Sequence, residues 1–507
     1  MSLAACLAVL LQPVVTTPAI EPEVPELDFK GLFFTRATHT NVVSSGALFR
    51  NLQIGRLGSP DSGATTEGDG NTFIEQRVIG FFDYTPALWQ GNAVFRSAFE
   101  IDFTWGDAAN QVQENAGGGM NGDVVNLQTK RLQMDLTLDR GLVLTLGLQT
   151  LADNPRRPTE ATPDELVHGG THLMFWGTDA AGASLFWRPH RRILSRAGYF
   201  LLWENAPDKN DDVHLALLDV EFGVAPATQV GLHLWYLNDG SAQQQSGPGS
   251  RLSRLTAGTQ LVPGRGRVLQ QADVAWLAVD AHYNLFLNGG PFTIGGFAAL
   301  NGGDFETRIS DASIAVPDAP EPSLLAFLVD AEAAWRWGHS NGDFVSLEGL
   351  YASGDEAPGD QVVSSVITGN GYGLPGALAL THRSLLLLPD GKAVNRQVAA
   401  VYDPANLGYG LMAAFLNAGA DLVRYKWNVK LGLATAQSAA RPVDGGRQIG
   451  TEVNFETLYQ VYPLLWLGAH AAYLRLGSFY DGARFDADAP PLDNPYTAFA
   501  TATWVML

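Results

Sequence analysis

The sequence predicts an all-β protein: a single transmembrane, antiparallel, up-and-down β-barrel of about 18 strands, with long extracellular loops and short periplasmic turns. Three observations predict it: apolar and polar residues alternate in many segments, tight turns alternate with long polar loops, and the number of segments is even. Within Phe95–Trp105, Phe99 and Ile101 alternate with Glu100 and Asp102. A period of two indicates a strand, and in a barrel the apolar face contacts lipid while the charged face lines the lumen.

Composition narrows the class of protein. Charged residues make up 17% of the 507 residues, below the roughly 25% that is usual in soluble domains. The net charge of −20 argues against a nucleic-acid partner, because phosphate backbones bind basic surfaces. The one cysteine, Cys6, rules out an intrachain disulfide framework. No segment reaches the ~18 apolar residues that a transmembrane helix needs.

The N-terminal segment divides into two parts. Residues 1–19 resemble a signal peptide, with an apolar run from Leu3 to Leu11 followed by small residues. Cys6 lies in a lipobox-like context, which leaves open whether it is lipidated. Residues 20–26 are rich in Pro and Glu and are interpreted as a periplasmic leader, and residues 27–507 form the predicted barrel.

The predicted strands follow one another as hairpins. With a periplasmic leader, the tight turns, such as the one at Asp139-Arg140, fall on the periplasmic side and the long loops outside. The strands are Leu27–Arg36, Thr72–Asp83, Ala93–Trp105, Val125–Leu138, Gly141–Leu151, Gly182–Arg188, Ile193–Trp203, Asp212–Val224, Thr228–Asn238, Gln271–Leu287, Pro291–Asn301, Leu324–Trp337, Asp343–Ser353, Gly408–Leu416, Leu422–Ala434, Gln448–Val461, Leu464–Ser478 and Pro495–Leu507.

The polar phase of these strands supplies candidate pore-lining residues. A lipid-facing Arg or Lys costs about 2–4 kcal/mol at the bilayer midplane, so a charge in mid-strand is expected to face inward. The candidates are Arg36, Arg77, Arg96, Glu100, Asp102, Arg131, Asp135, Asp280, Asp330, Glu332, Arg336, Glu348, Arg424, Lys426, Lys430, Glu452 and Glu456.

Two interpretations of these charges stay open. In the first, acids and bases pair and hydrate the wall of a pore. In the second, Arg and Lys from several strands form an anion-conducting ring, with Arg424, Lys426 and Lys430 as one basic strand after a turn at Asn417–Asp421. A loop folded into the lumen could narrow the pore, and the candidates are Ala152–Ala181 and Gly354–Leu407.

Tryptophans near strand ends suit the aromatic girdles at membrane interfaces. These are Trp105, Trp203, Trp235, Trp337 and Trp504.

Three segments, Leu142–Thr150, Phe344–Asp355 and Leu467–Tyr480, resemble strands of the alginate export protein family of outer-membrane barrels. The resemblance covers about residues 27–507 and implies an eighteen-stranded barrel, a signal peptide, long outer loops and polysaccharide export. Where that family has Arg in a Gly-Arg-Gln step, this chain has Leu148, so the family's arginine-lined conduit does not carry over at this position.

The sequence favours a transporter over an enzyme. His168 and His172 are four residues apart, but they lie in a loop with no Glu between them, so neither a metal site nor a cofactor is expected there. His233 or His282 could belong to a Ser/His hydrolase pair, but no Ser lies at a matching spacing.

The expected function is a bacterial outer-membrane channel or porin-like protein. It would carry out passive transport or export of polar solutes, anionic ones included, or of polysaccharide. The alternative is a plugged barrel that acts as a surface binding or scaffold protein through long loops such as Gly354–Leu407. The expected partners are outer-membrane lipid, a small polar solute or polysaccharide, and periplasmic or surface proteins.

Overall fold

The structure is a computed structural model, and the predicted signal peptide, Cys6 and nearly all of the leader lie outside its described residues. His168 and His172 lie outside them as well. The structure describes residues 26–44, 48–49, 52–58, 64–105, 125–139, 141–153, 174–204, 211–242, 252, 255–256, 267–284, 289–309, 321–337, 340, 342–358, 360–369, 372, 384–442, 445–481 and 491–506.

Eighteen long strands form one barrel, and each has a counterpart among the predicted strands. Four short strands, β2, β3, β16 and β17, belong to the loops. The strands are β1 Leu27–Ser44, β2 Leu48–Phe49, β3 Leu52–Arg56, β4 Ala64–Tyr84, β5 Ala93–Thr104, β6 Val125–Asp139, β7 Leu142–Ala152, β8 Gly177–His190, β9 Ile193–Trp203, β10 Val213–Ala225, β11 Thr228–Asp239, β12 Arg267–Tyr283, β13 Phe292–Ile309, β14 Ser323–Arg336, β15 Phe344–Ala352, β16 Val362–Val363, β17 Arg396–Ala399, β18 Leu411–Val423, β19 Trp427–Gln437, β20 Gln448–Tyr462, β21 Leu465–Leu476 and β22 Tyr496–Met506.

The barrel closes between its first and last strands. Phe34 of β1 lies opposite Arg77 of β4 on one side and Thr503 of β22 on the other, both in antiparallel register. Every other barrel strand pairs antiparallel with its neighbours in chain order. The all-β, antiparallel, up-and-down barrel of about 18 strands is therefore confirmed.

The outer face of the barrel is apolar, whereas the inner face carries the mid-strand charges together with buried apolar side chains. On β5, Phe99 and Ile101 are 37% and 38% exposed, whereas Glu100 and Asp102 are 4% and 0% exposed. Large apolar side chains are exposed in the same way on the other strands, among them Leu234, Leu277, Phe327, Leu433 and Phe455. A closed barrel with an apolar outer belt satisfies its backbone groups in lipid, so this is a transmembrane barrel of the outer-membrane type.

The described helices are short. Those that the structure describes in full are single 3-10 turns such as Ala87–Trp89, and no described helix is long and apolar enough to cross a membrane.

Several strand boundaries differ from the prediction, for example β13, which continues eight residues past Asn301 to Ile309. Strand β1 continues past Arg36, and β4 starts before Thr72. The two strands pair again after a bulge, up to Ser44 opposite Ala64. Strand β18 runs through Asn417–Asp421, which was predicted as a turn. The chain turns instead at Arg424–Lys426, where the Lys426 N–H donates to the Val423 carbonyl at 2.9 Å and Tyr425 has a positive φ of 58°.

The apolar core of the protein lies inside the barrel. Phe175, Trp176, Trp235 and Trp276 are all 0% exposed and stack on one another, with Phe175 and Trp276 ring centroids 5.5 Å apart. Trp235 therefore faces inward, and its assignment to an interfacial girdle was wrong. Trp105, Trp337 and Trp504 are 50%, 45% and 50% exposed, as a girdle requires.

Candidate functional site: the barrel lumen

The long segment between β15 and β18, residues 353–410, is called the inner loop here, and its described residues lie in the lumen. At one wall, the Trp276 indole N–H of β12 donates to the Ile367 carbonyl at 2.8 Å. The Ile367 N–H donates to Asn301 of β13 at 2.7 Å. At the other wall the loop reaches β1, which is nine pairing steps from β12 in either direction. The described part of the inner loop therefore crosses the barrel.

Glu452 of β20 holds the inner loop by its backbone. Its carboxylate accepts the N–H groups of Leu385, Leu386 and Leu387 at 2.8, 2.9 and 2.7 Å, and Asn454 donates to it at 2.8 Å. Hydrogen bonds to a charged group are stronger than those between neutral groups. The single carboxylate therefore fixes three successive loop residues against the wall.

Two ion pairs fix the next part of the loop. Arg36 of β1 contacts Asp390 at 2.5 Å, and Lys392 contacts Glu456 of β20 at 2.8 Å. Burial alone would raise the pKa of Asp390, but Arg36 and Lys392 outweigh it and hold that pKa below its ordinary value. All four side chains are buried, so removal of one partner would leave an uncompensated charge.

The loop then reaches β4 and β5. The Asn395 N–H donates to Glu75 at 3.0 Å, and its side chain donates to Thr104 at 3.1 Å. Val394 is 0% exposed and packs with Leu32 and other apolar side chains toward the short-turn end of the barrel. This hydrophobic contact complements the polar ones, since the apolar side chain leaves water when the loop docks.

The insertion between β7 and β8 also enters the lumen where it is described. Asp153 accepts the N–H groups of Met174, Phe175 and Trp176, and burial raises the pKa of Asp153 to about 6 despite these hydrogen bonds. The Trp176 ring stacks on Tyr372 of the inner loop, with centroids 5.7 Å apart. Both loops that were predicted to enter the lumen thus contribute to it, and Arg156-Arg157 lie outside the described residues.

Basic side chains on β4 to β6 are paired with carboxylates. Arg77 makes a two-pronged contact with Asp102, at 2.9 and 2.8 Å. Arg96 bridges Asp135 at 2.7 Å and Asp83 at 2.9 Å. Nearby, Arg131 lies 3.6 Å from Asp83, and Glu100 lies 3.3 Å from Arg77. These contacts favour the paired-wall interpretation over an anion-conducting ring.

Strands β14 and β15 supply an acidic part of the inner face. Asp330 and Glu348 are 1% and 4% exposed, and Glu332 lies directly opposite Glu348 in the strand register. Arg336 is on the same face of β14, near its short-turn end, with its guanidinium 5.6 Å from the Phe344 ring. The structure places all four candidates on the inner side.

The basic strand predicted at Arg424, Lys426 and Lys430 needs correction. Arg424 and Lys426 are exposed in the turn between β18 and β19, because β18 extends seven residues beyond its predicted end, to Val423. Only Lys430 of the three is buried inside, where it forms an ion pair with Glu456. The position of Glu452 and Glu456 on the strand next to Lys430 agrees with the register.

A cluster on β10 to β12 was not predicted as a unit, although Asp280 was a pore-lining candidate and His233 and His282 were considered for a hydrolase pair. His233 lies 2.8 Å from Asp219 and 2.6 Å from Asp280 through its two ring nitrogens, and Glu221 and His282 lie beside them. Asp219, Glu221, His233, Asp280 and His282 are called the histidine cluster below. The period-two pattern places all five inward on consecutive hairpin strands, and this was the signal that could have revealed them.

No protein-family model and no curated protein matches the chain. Among solved structures, the chain is similar to OccAB4 of Acinetobacter baumannii at 9% identity and a TM-score of 0.49, covering 96% of this chain and 99% of that one. It is similar to OccK5 (OpdH) of Pseudomonas aeruginosa at 11% identity and a TM-score of 0.46, covering 95% and 99%. The third is OpdK with vanillate, also of Pseudomonas aeruginosa, at 13% identity and a TM-score of 0.45, covering 94% and 98%. The assignment of the fold rests on the strand pairing described above.

Proposed function

We propose that this protein is an outer-membrane channel through which small polar solutes diffuse, with the inner loop as its constriction. The observation that carries the proposal is the inner loop's contact with β12 on one side and β1 on the other. The charged side chains on the inner face support a hydrated path, and the inner loop narrows that path. A narrow path suits small solutes better than a polymer.

The charges of the lumen favour cations. The arginines of β4 to β6 pair with carboxylates, and the inward candidates on β14 and β15 are three carboxylates, Asp330, Glu332 and Glu348, and one guanidinium, Arg336. Rings of Asp and Glu favour cations in channels. In a salt gradient, the reversal potential should therefore have the sign expected of a channel that prefers cations. A reversal potential of the opposite sign would contradict this part of the proposal.

Liposome swelling tests the size limit. Purified protein is reconstituted and challenged with glucose, sucrose and a long maltodextrin. We expect swelling to be fast with glucose, slower with sucrose and absent with the maltodextrin. Equal rates for all three would contradict the constriction and would favour polysaccharide export, which the resemblance to the alginate export family implies.

A second candidate function is the plugged barrel that acts as a surface binding protein. The same inner loop favours it, because its contacts with Glu452, Glu456, Arg36 and Glu75 hold it firmly in the lumen. A plugged barrel should show no swelling with glucose until the loop is released. Swelling of wild-type liposomes with glucose therefore supports the channel, whereas swelling only with the Glu452→Gln variant supports the plugged barrel.

A further inference from the structure

The histidine cluster gathers three ligand types at one point of the barrel wall. Glu221 of β10, Gly231 of β11 and Asp280 of β12 face one another across the three strands. Glu221 Oε1, His233 Nε2 and Asp280 Oδ2 all lie within 4.8 Å of one another. Because Gly231 has no side chain, these three atoms occupy the space where its Cβ would project.

The ring of His233 is oriented by a second layer of contacts. Its Nδ1 lies 2.8 Å from Asp219, and Asp219 accepts the Arg196 Nε–H at 2.8 Å and the Trp235 indole N–H at 2.8 Å. His233 Nε2 is thereby directed toward Asp280 and Glu221. Metal-bound histidines commonly have this arrangement, in which a carboxylate holds the other ring nitrogen.

His282 contacts the other oxygen of the Asp280 carboxylate. Asp280 Oδ1 and His282 Nε2 lie 2.9 Å apart, and the two residues are 3% and 8% exposed. This contact orients the carboxylate, whose Oδ2 lies 2.6 Å from His233 Nε2, as outer-shell partners of metal ligands do.

The buried carboxylates of the histidine cluster also indicate a bound cation. Asp219, Glu221 and Asp280 are 0%, 0% and 3% exposed, and Arg196 is the guanidinium that contacts the group, through Asp219. Burial of excess negative charge is expensive unless a cation or protons compensate it. A set of imidazole and carboxylate ligands suits Zn²⁺.

We propose that Glu221, His233 and Asp280, with His282 beside them, bind a zinc ion in the barrel wall. Asp219 acts as a positioning residue through His233. The site is separate from the channel activity proposed above, since it is buried in the wall and does not depend on solute passage. Zinc would link β10, β11 and β12 across their inner faces.

Equilibrium dialysis of the purified, folded protein against zinc chloride tests the proposal. Wild type should bind about one zinc ion per chain. Glu221→Gln should weaken binding, and Asp219→Asn should weaken it by about 10- to 100-fold, as loss of an outer-shell partner does. The matched control is Glu204→Gln, because Glu204 is the exposed member of a second acidic group, which it forms with Asp211 and Asp212. Binding that is lost in the control and kept in Glu221→Gln would overturn the proposal.

A second measurement does not depend on the folding of a variant. X-ray absorption at the zinc edge of the loaded wild type should show nitrogen and oxygen ligands at roughly 2.0–2.2 Å, with imidazole scattering. Zinc bound without an imidazole, or no zinc bound after dialysis, would overturn the proposal.

Discussion

Two walls of the lumen both carry buried charges on their inward strand positions, but these charges have different partners. The docking wall consists of β20, β21, β22, β1, β4 and β5, and its buried charges bind the inner loop. The histidine wall consists of β9 to β12, and its buried charges bind one another. The comparison shows that an inward charge in a barrel strand has two uses: it can hold a loop, or it can join neighbouring strands.

This difference has an energetic consequence. On the docking wall, a lost contact can be relieved when the loop moves away and its groups return to water. On the histidine wall, the partners are all on strands that cannot leave. The first wall should therefore respond to mutation mainly in conductance, and the second mainly in stability.

The largest expected effect comes from Glu452→Gln. The substitution keeps the side-chain size but removes the charge that accepts three loop N–H groups. We expect the inner loop to leave the lumen more often, so that single-channel conductance rises about two-fold or more. Glu356→Gln is the control, because Glu356 lies in the same loop in an exposed ion pair with Arg447. Equal conductance in both variants would show that Glu452 does not hold the constriction.

The second effect compares Arg196→Met with Arg36→Met. Both guanidiniums are buried against a carboxylate. Arg196→Met should lower the free energy of unfolding by about 3–5 kcal/mol, because the Asp219 carboxylate stays buried without the guanidinium that pairs with it. Arg36→Met should cost less, since Asp390 lies on a loop that can become hydrated. Unfolding of both variants in urea measures the loss in free energy of unfolding. Equal losses in the two variants would contradict the distinction between the two walls.

The third effect depends on pH. The pKa of Asp390 in the docked loop lies below its ordinary value of 3.8. Its contribution to docking is therefore complete above pH 3.8 and is lost as the pH falls through the lowered pKa. Conductance should rise at that acid pH. Asp390→Asn should show raised conductance at neutral pH and a smaller further rise in conductance on acidification. An unchanged rise on acidification would show that another group titrates.

The smallest effect is expected for Arg424→Ala combined with Lys426→Ala. Both residues are exposed in a turn and face away from the constriction. The reversal potential in a salt gradient should stay as in wild type. A reversal potential that shifts toward greater cation preference would show that the turn contributes to ion selection.

The barrel could be predicted from sequence because its signal is local. Alternation of apolar and polar residues, as in Phe95–Trp105, indicates a strand and its lipid face together, and the sorting of turns and loops indicates closure. The turn at Arg424–Lys426 was missed because Asn417–Asp421 contains the usual turn residues. Their strand conformation is set instead by pairing with β15 and β19, where Asn417 lies opposite Ser346 and Gly432.

The lumen was harder to predict because its contacts join distant segments. Arg36 and Asp390 are 354 residues apart, and Glu75 and Asn395 are 320 apart. The pattern indicates that Arg36 faces inward, but not which loop residue meets it. The histidine cluster is different, since its strands are consecutive. A search for inward charges on neighbouring strands would have found it.

Single-channel recording in planar bilayers tests the central claim most directly. The wild type is compared with a variant in which residues 384–401 are replaced by a short Gly-Ser linker, after both are shown to fold by heat-modifiable migration. The account predicts discrete conductance steps in the wild type and larger steps in the variant. Steps of equal size in the two proteins, or no steps in either, would contradict a channel that is narrowed by its inner loop.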